Sequence, residues 1–120
     1  MISAVPSRRW VPVATMFGVA GLAHFVRAAH FDEIVPRALP GSARTWTLAS
    51  GVVELGLAAG LALPRTRRAS GTVAAAFLVA VWPANVTMAL DARSPRARAI
   101  TIARLPLQVP LIRAAWRAGR

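Results

Sequence analysis

The chain has 120 residues, 56% of them hydrophobic and only 16% charged, and carries a net charge of +11. That length allows one domain, and a mean hydropathy of +0.51 is too apolar for an ordinary small soluble one. Cysteine is absent, which excludes disulfides, thiolate metal sites and thiol redox chemistry for this chain acting alone.

All fifteen basic residues are arginine. A nucleic-acid binder gathers its positive charge on one face or stripe. Here the arginines punctuate apolar stretches, which is the pattern of a membrane bundle whose flanking cations can meet anionic lipid headgroups. The expected partner is the lipid bilayer, with no nucleic acid.

Arg8 and Arg9 precede the first apolar run and loosely evoke a twin-arginine signal. No small-x-small cleavage site stands out at the end of that run, and three more apolar segments follow, so both are read as a cytoplasmic flank. Helices are expected over about residues 10–28, 46–63, 69–90 and 99–116. The third is free of charge, whereas the fourth carries Arg104, Arg113 and two prolines. A helix suits a bilayer because it satisfies its own backbone groups. The connections are short and basic, as in Pro64-Arg65-Thr66-Arg67-Arg68. The longest link, 27–45, mixes apolar and charged residues and is expected to form a partly ordered cap at the membrane surface. There is no internal repeat.

The expected fold is thus an all-α integral membrane four-helix bundle forming a single domain over residues 1–120, multi-pass in the cell inner (cytoplasmic) membrane. Orientation follows the positive-inside rule. With the N-terminus inside, the inner side holds Arg8, Arg9, Arg65, Arg67, Arg68, Arg113, Arg117 and Arg120. The outer side holds Arg27, Arg37, Arg44, Arg93, Arg96 and Arg98, diluted by Asp32, Glu33 and Asp91. The expectation is N-in, C-in. Trp10, Trp46 and Trp116 fall at helix ends, as an aromatic belt would.

Glu54 stands alone in the apolar run WTLASGVVELGLAAGLAL. A carboxylate at the centre of a span costs ~2.5–3.5 kcal/mol on insertion scales, so it needs a partner or a job. Counting the helical rise from the outer ends puts His24 roughly 5 Å deep, Asn85 and Arg104 roughly 8 Å, Glu54 roughly 12 Å and Gln108 roughly 14 Å. Every expected helix contributes a polar side chain to that half. Arg104 is the expected partner of Glu54, with His24, Asn85 and Gln108 around them as a polar pocket. Ser50, Gly51 and Ala58 make the Glu54 face small, and Ala20 and Gly21 do so beside His24, which lets helices approach closely. The blander reading makes Glu54 and Arg104 a register-fixing ion pair, and Asn85 and Gln108 interhelical hydrogen-bonding groups. His24 and His30 do not share a helical face, and no HExxH, phosphate loop or nucleophile elbow is present, so no metal site is expected.

Several runs together look like one family. Gly21-Leu22-Ala23-His24-Phe25, Phe31-Asp32-Glu33-Ile34-Val35-Pro36 and Leu39-Pro40 resemble the first helix and loop of DoxX-like membrane proteins. Ser50-Gly51-Val52-Val53-Glu54-Leu55 resembles their second helix. Trp82-Pro83-Ala84-Asn85-Val86-Thr87-Met88-Ala89 and Arg104-Leu105-Pro106-Leu107-Gln108 resemble the third and fourth. The resemblance implies a small bacterial four-helix membrane protein. Relatives in that broad group accompany oxidoreductase systems, including quinone-linked thiosulfate oxidation and methylamine dehydrogenase maturation. The family has no general agreed reaction, so none is implied here.

The leading expectation is an accessory subunit of a membrane redox system that binds a quinone-like or lipidic ligand, or docks to a membrane redox enzyme. The alternatives are a structural protein without ligand and a small proton-coupled carrier, for which a homodimer would serve better than a monomer. No nucleophile or intrinsic redox centre is visible, so electron transfer would need a borrowed cofactor such as a quinone.

Overall fold

Apolar runs punctuated by proline and serine fold here into helices. The computed structural model describes residues 7–120, and all its regular structure is helical, with no strand among the described residues. The first six residues of the expected domain lie outside them. Six helices follow in order: α1 (Trp10–Val26), α2 (Ala28–Asp32), α3 (Ala43–Ala62), α4 (Arg67–Ala80), α5 (Trp82–Asp91) and α6 (Pro95–Ala118).

Helix ends have local causes. Ser42 caps α3, its hydroxyl accepting from the Thr45 N–H at 3.2 Å, and Ser94 caps α6 by accepting from the Ala97 N–H at 3.0 Å. These caps begin both helices some residues before the expected 46 and 99. Pro95 sits at the first position of α6, where a missing N–H costs nothing. α3 ends just before Pro64. The Arg67 guanidinium then donates to the carbonyls of Leu61 at 2.6 Å and Ala62 at 3.0 Å, two groups left over at the helix terminus.

The expected third helix, 69–90, is interrupted. Val81 separates α4 from α5, because Pro83 offers no N–H to the carbonyl of Val79 and its ring crowds the preceding turn. The 27–45 link is partly ordered, as anticipated. α2 lies at its start and Trp46 Nε1 donates to the Pro40 carbonyl at its end, at 2.7 Å.

Consecutive long segments run antiparallel. α1 packs along α3, while α4 and α5 pack along α6. The four meet at one end, around Val13 and Phe17 of α1, Leu57 and Leu61 of α3, Ala74, Ala75 and Leu78 of α4, and Ala115 and Ala118 of α6. Phe17 meets Phe77 edge-on, with ring centroids 6.1 Å apart. α5 adds no residue to this cluster and packs on α6, with at most marginal contact to α1 and α3. The two helix pairs therefore share a core at one end only. The molecule is elongated, 59 × 28 × 22 Å.

Two stretches, Ala43–Ala62 and Arg67–Asp91, are long and apolar enough to cross a membrane, with mean hydropathies of 1.3 and 1.8. Only 28% and 22% of their apolar windows are buried inside the protein. Large side chains including Val19, Leu22, Val52, Val79, Leu90 and Leu107 face outward.

Candidate functional site: a histidine–glutamate pair in a glycine seam

α1 and α3 approach closely where each has a glycine. A Cβ on Gly51 would lie 2.9 Å from the His24 Cβ and 2.8 Å from a Phe25 ring carbon. A Cβ on Gly21 would lie 3.1 Å from the Gly51 carbonyl and 2.9 Å from Leu55 Cγ. Neither place admits a side chain, so the backbones come together. His24 stands opposite Gly51 in this antiparallel pair. Side chains in a helix lean toward its N-terminus, so His24 and Glu54 lean toward each other. His24 Nδ1 and Glu54 Oε2 are 3.0 Å apart.

The imidazole has a prior commitment. Nδ1 lies 2.7 Å from the Ala20 carbonyl. A carbonyl oxygen only accepts, so Nδ1 carries a proton and donates it there. Glu54 Oε2 sits beside that nitrogen yet has no hydrogen-bond partner of its own. Phe31 of α2 stacks on the imidazole, with centroids 3.9 Å apart and planes inclined by 20°. The two side chains keep 13% and 10% of their surface open. The result is a carboxyl beside a histidine, one oxygen closed off without a hydrogen bond and only a small part of the side chain open to the outside.

Arg104 is not the partner of Glu54. Its guanidinium lies exposed, with Nη1 3.4 Å from Met88 Sδ on α5. The reason is topological: α3 packs on α1, α2 and α4, whereas α6 packs on α4, α5 and α1. Gln108 is buried in another seam, where Nε2 donates to the Leu78 carbonyl at 3.4 Å, near the α4–α5 interruption. Asn85 is half-buried on α5. The expected five-residue pocket thus separates into the His24–Glu54 pair between α1 and α3, Arg104 beside Met88, and Gln108 against α4.

Two residues that the sequence reading passed over complete the surroundings. Thr47 is 2% exposed and seven residues before Glu54, on the same buried face of α3. That spacing was the available signal. Thr47 Oγ1 and Asp32 Oδ1 are both buried without a partner in hydrogen-bonding geometry. The Thr47 hydroxyl is still close enough to be the largest influence holding the Asp32 carboxyl below its ordinary value. Burial opposes it and Arg44 assists, with Nε 2.9 Å from Asp32 Oδ2. Phe31 had no sequence signal for its place, because stacking on His24 depends on how the cap folds back.

No group of three or more His, Asp or Glu residues among the described ones is arranged to hold a metal ion. A family model described as a domain of unknown function, DUF8561, matches residues 13–119. The chain belongs to that family. The match includes all but the first three residues of α1, the cap, and α3 to α6. No curated protein and no solved structure matches the chain.

Proposed function

We propose that this chain is a multi-pass inner-membrane protein, a four-helix bundle with both termini on the cytoplasmic side, of the DoxX-like kind it resembles. It serves as an accessory subunit of a membrane redox system and takes the polar head of a quinone-like ligand at His24 and Glu54. Bilayer placement is supported by two long apolar stretches whose side chains mostly face outward rather than into a core. The ligand reading is carried by one observation: Glu54 Oε2 is buried, close to an imidazole, and without a hydrogen bond. A buried polar atom in that state favours a partner that supplies what it lacks. A hydroxyl on an otherwise apolar ring would supply a donor to the carboxyl group through the 10% of that side chain that stays open, while the ring lies along apolar helix surface.

Native mass spectrometry of the protein extracted gently from its own membrane tests this. A stoichiometric small-molecule mass that disappears in a folded Glu54→Gln variant is the expected result. A bare chain in both forms rejects it.

A second reading has its own support. The glycine seam places His24 and Glu54 where α1 and α3 come close together, so the pair would fix the register of the two helices. Replacing both residues with leucine would then preserve the thermal midpoint, and the wild-type protein would carry no ligand.

A further inference from the structure

The arginine-rich end of the molecule contains a second site, unrelated to Glu54. α1 and α6 border a groove of about 630 Å³ there. Arg9, Arg113 and Arg117 rim it, while Val13, Met16 and Leu111 provide apolar lining. Arg113 and Arg117 are four residues apart and share one face of α6.

Two other arginines at this end, Arg67 and Arg120, are already engaged. Arg67 caps α3 and lies over the Trp10 ring at 4.6 Å, and Arg120 lies over the Trp116 ring at 3.5 Å and donates to Thr72 Oγ1. The side chains of Arg9, Arg113 and Arg117 make no ion pair or hydrogen bond among the described residues. No acidic side chain stands at this end to neutralise them. The chain's four acidic residues are Asp32, Glu33, Glu54 and Asp91. Glu54 lies in the α1–α3 seam, and the other three lie at the opposite end.

Three unpaired guanidiniums around an apolar trough call for an anion with a hydrocarbon tail. A guanidinium binds phosphate through parallel charge-assisted hydrogen bonds, and basic pockets between membrane helices at the cytoplasmic side hold acidic headgroups. We propose that this groove binds one anionic phospholipid, its phosphate at Arg9, Arg113 and Arg117 and an acyl chain along Val13, Met16 and Leu111. The apolar lining argues for a lipid over free phosphate, which would gain nothing from it. The inference rests on the bilayer placement. That placement fails separately, through recovery of the chain in the soluble fraction.

The test titrates the full-length protein in detergent micelles with phosphatidylglycerol and with phosphatidylcholine, counting retained lipid by native mass spectrometry. Phosphatidylglycerol should bind at least about tenfold more tightly. The double variant Arg113→Gln/Arg117→Gln should lose that preference. Arg93→Gln/Arg96→Gln, which removes the same charge at the far end, should keep it. No preference in the wild-type protein, or equal loss in both double variants, overturns the proposal. Displacement of phosphatidylglycerol by millimolar inorganic phosphate overturns the lipid assignment and leaves an anion site. If circular dichroism shows that the first double variant is unfolded, Arg117→Gln alone is read instead, and unchanged preference there counts against the site.

Discussion

His24 Nδ1 keeps the Ala20 carbonyl whether or not Glu54 is present, whereas Glu54 Oε2 has only the imidazole beside it. The two single substitutions should therefore differ. Glu54→Leu leaves a satisfied histidine and an apolar seam, and its thermal midpoint in detergent should stay close to the wild-type value. His24→Leu leaves a buried carboxyl with no polar neighbour and should destabilise by about 1–3 kcal/mol. Equal losses would show that the imidazole does not compensate the carboxyl. Asp32 permits a pH prediction. Its folded-state pKa lies below the ordinary 3.8, chiefly through the Thr47 hydroxyl. The folded protein holds that proton less tightly than the unfolded chain, so the contribution to stability is complete above 3.8 and is lost as pH falls through the depressed value. An NMR titration of the Asp32 carboxyl should give a midpoint below 3.8, and Thr47→Val should move it upward. At this scale Glu54 was conspicuous in the sequence, because a lone carboxylate in an apolar run is costly wherever it lies. Its partner is not legible there, because depth along a helix says nothing about which helix lies alongside.

The seam between α1 and α3 is where elements become sensitive to a single methyl group. Gly51→Ala places a Cβ within 2.9 Å of the His24 Cβ, and a packed seam resists such additions by about 1–3 kcal/mol. Gly56 on the same helix has nothing within 4 Å of an added Cβ. Gly56→Ala should stabilise by roughly 0.5–1 kcal/mol, because alanine loses less backbone freedom than glycine in a helix. Thermal unfolding of the two variants side by side checks both signs, and a stabilised Gly51→Ala would mean that the helices do not meet as described. Small residues beside His24 and Glu54 already announced close approach. The interruption at Val81 also had a visible cause in Pro83, yet the charge-free run 69–90 was expected as one helix. Hydropathy is an average over a window, while a missing N–H acts at one turn.

For the whole molecule, charge distribution and topology can be tested together. The end formed by Trp10, the α3–α4 turn and the last turn of α6 holds Arg8, Arg9, Arg65, Arg67, Arg68, Arg113, Arg117 and Arg120 and no acidic residue. The opposite end combines its arginines with Asp32, Glu33 and Asp91. Because cysteine is absent, single introduced cysteines report topology without background. In intact cells Ala38→Cys should react with a membrane-impermeant maleimide, while Ser7→Cys should be protected until the cells are opened. Labelling of Ser7→Cys in intact cells would reverse the assigned orientation.

Helical structure, its approximate limits, the apolar surface and the uneven placement of arginine could be read from residue order. Each depends on backbone bonding within one segment or on the solvent preference of consecutive side chains. Pairing could not. Whether Glu54 meets His24 or Arg104 depends on α3 lying against α1 and apart from α6, on the Gly21–Gly51 approach, and on both side chains leaning toward their own N-termini in antiparallel helices. The groove of Arg9, Arg113 and Arg117 likewise exists only because the first and last helices end side by side. Such contacts join residues tens of positions apart, and only the tertiary arrangement selects one among the many that local preferences allow.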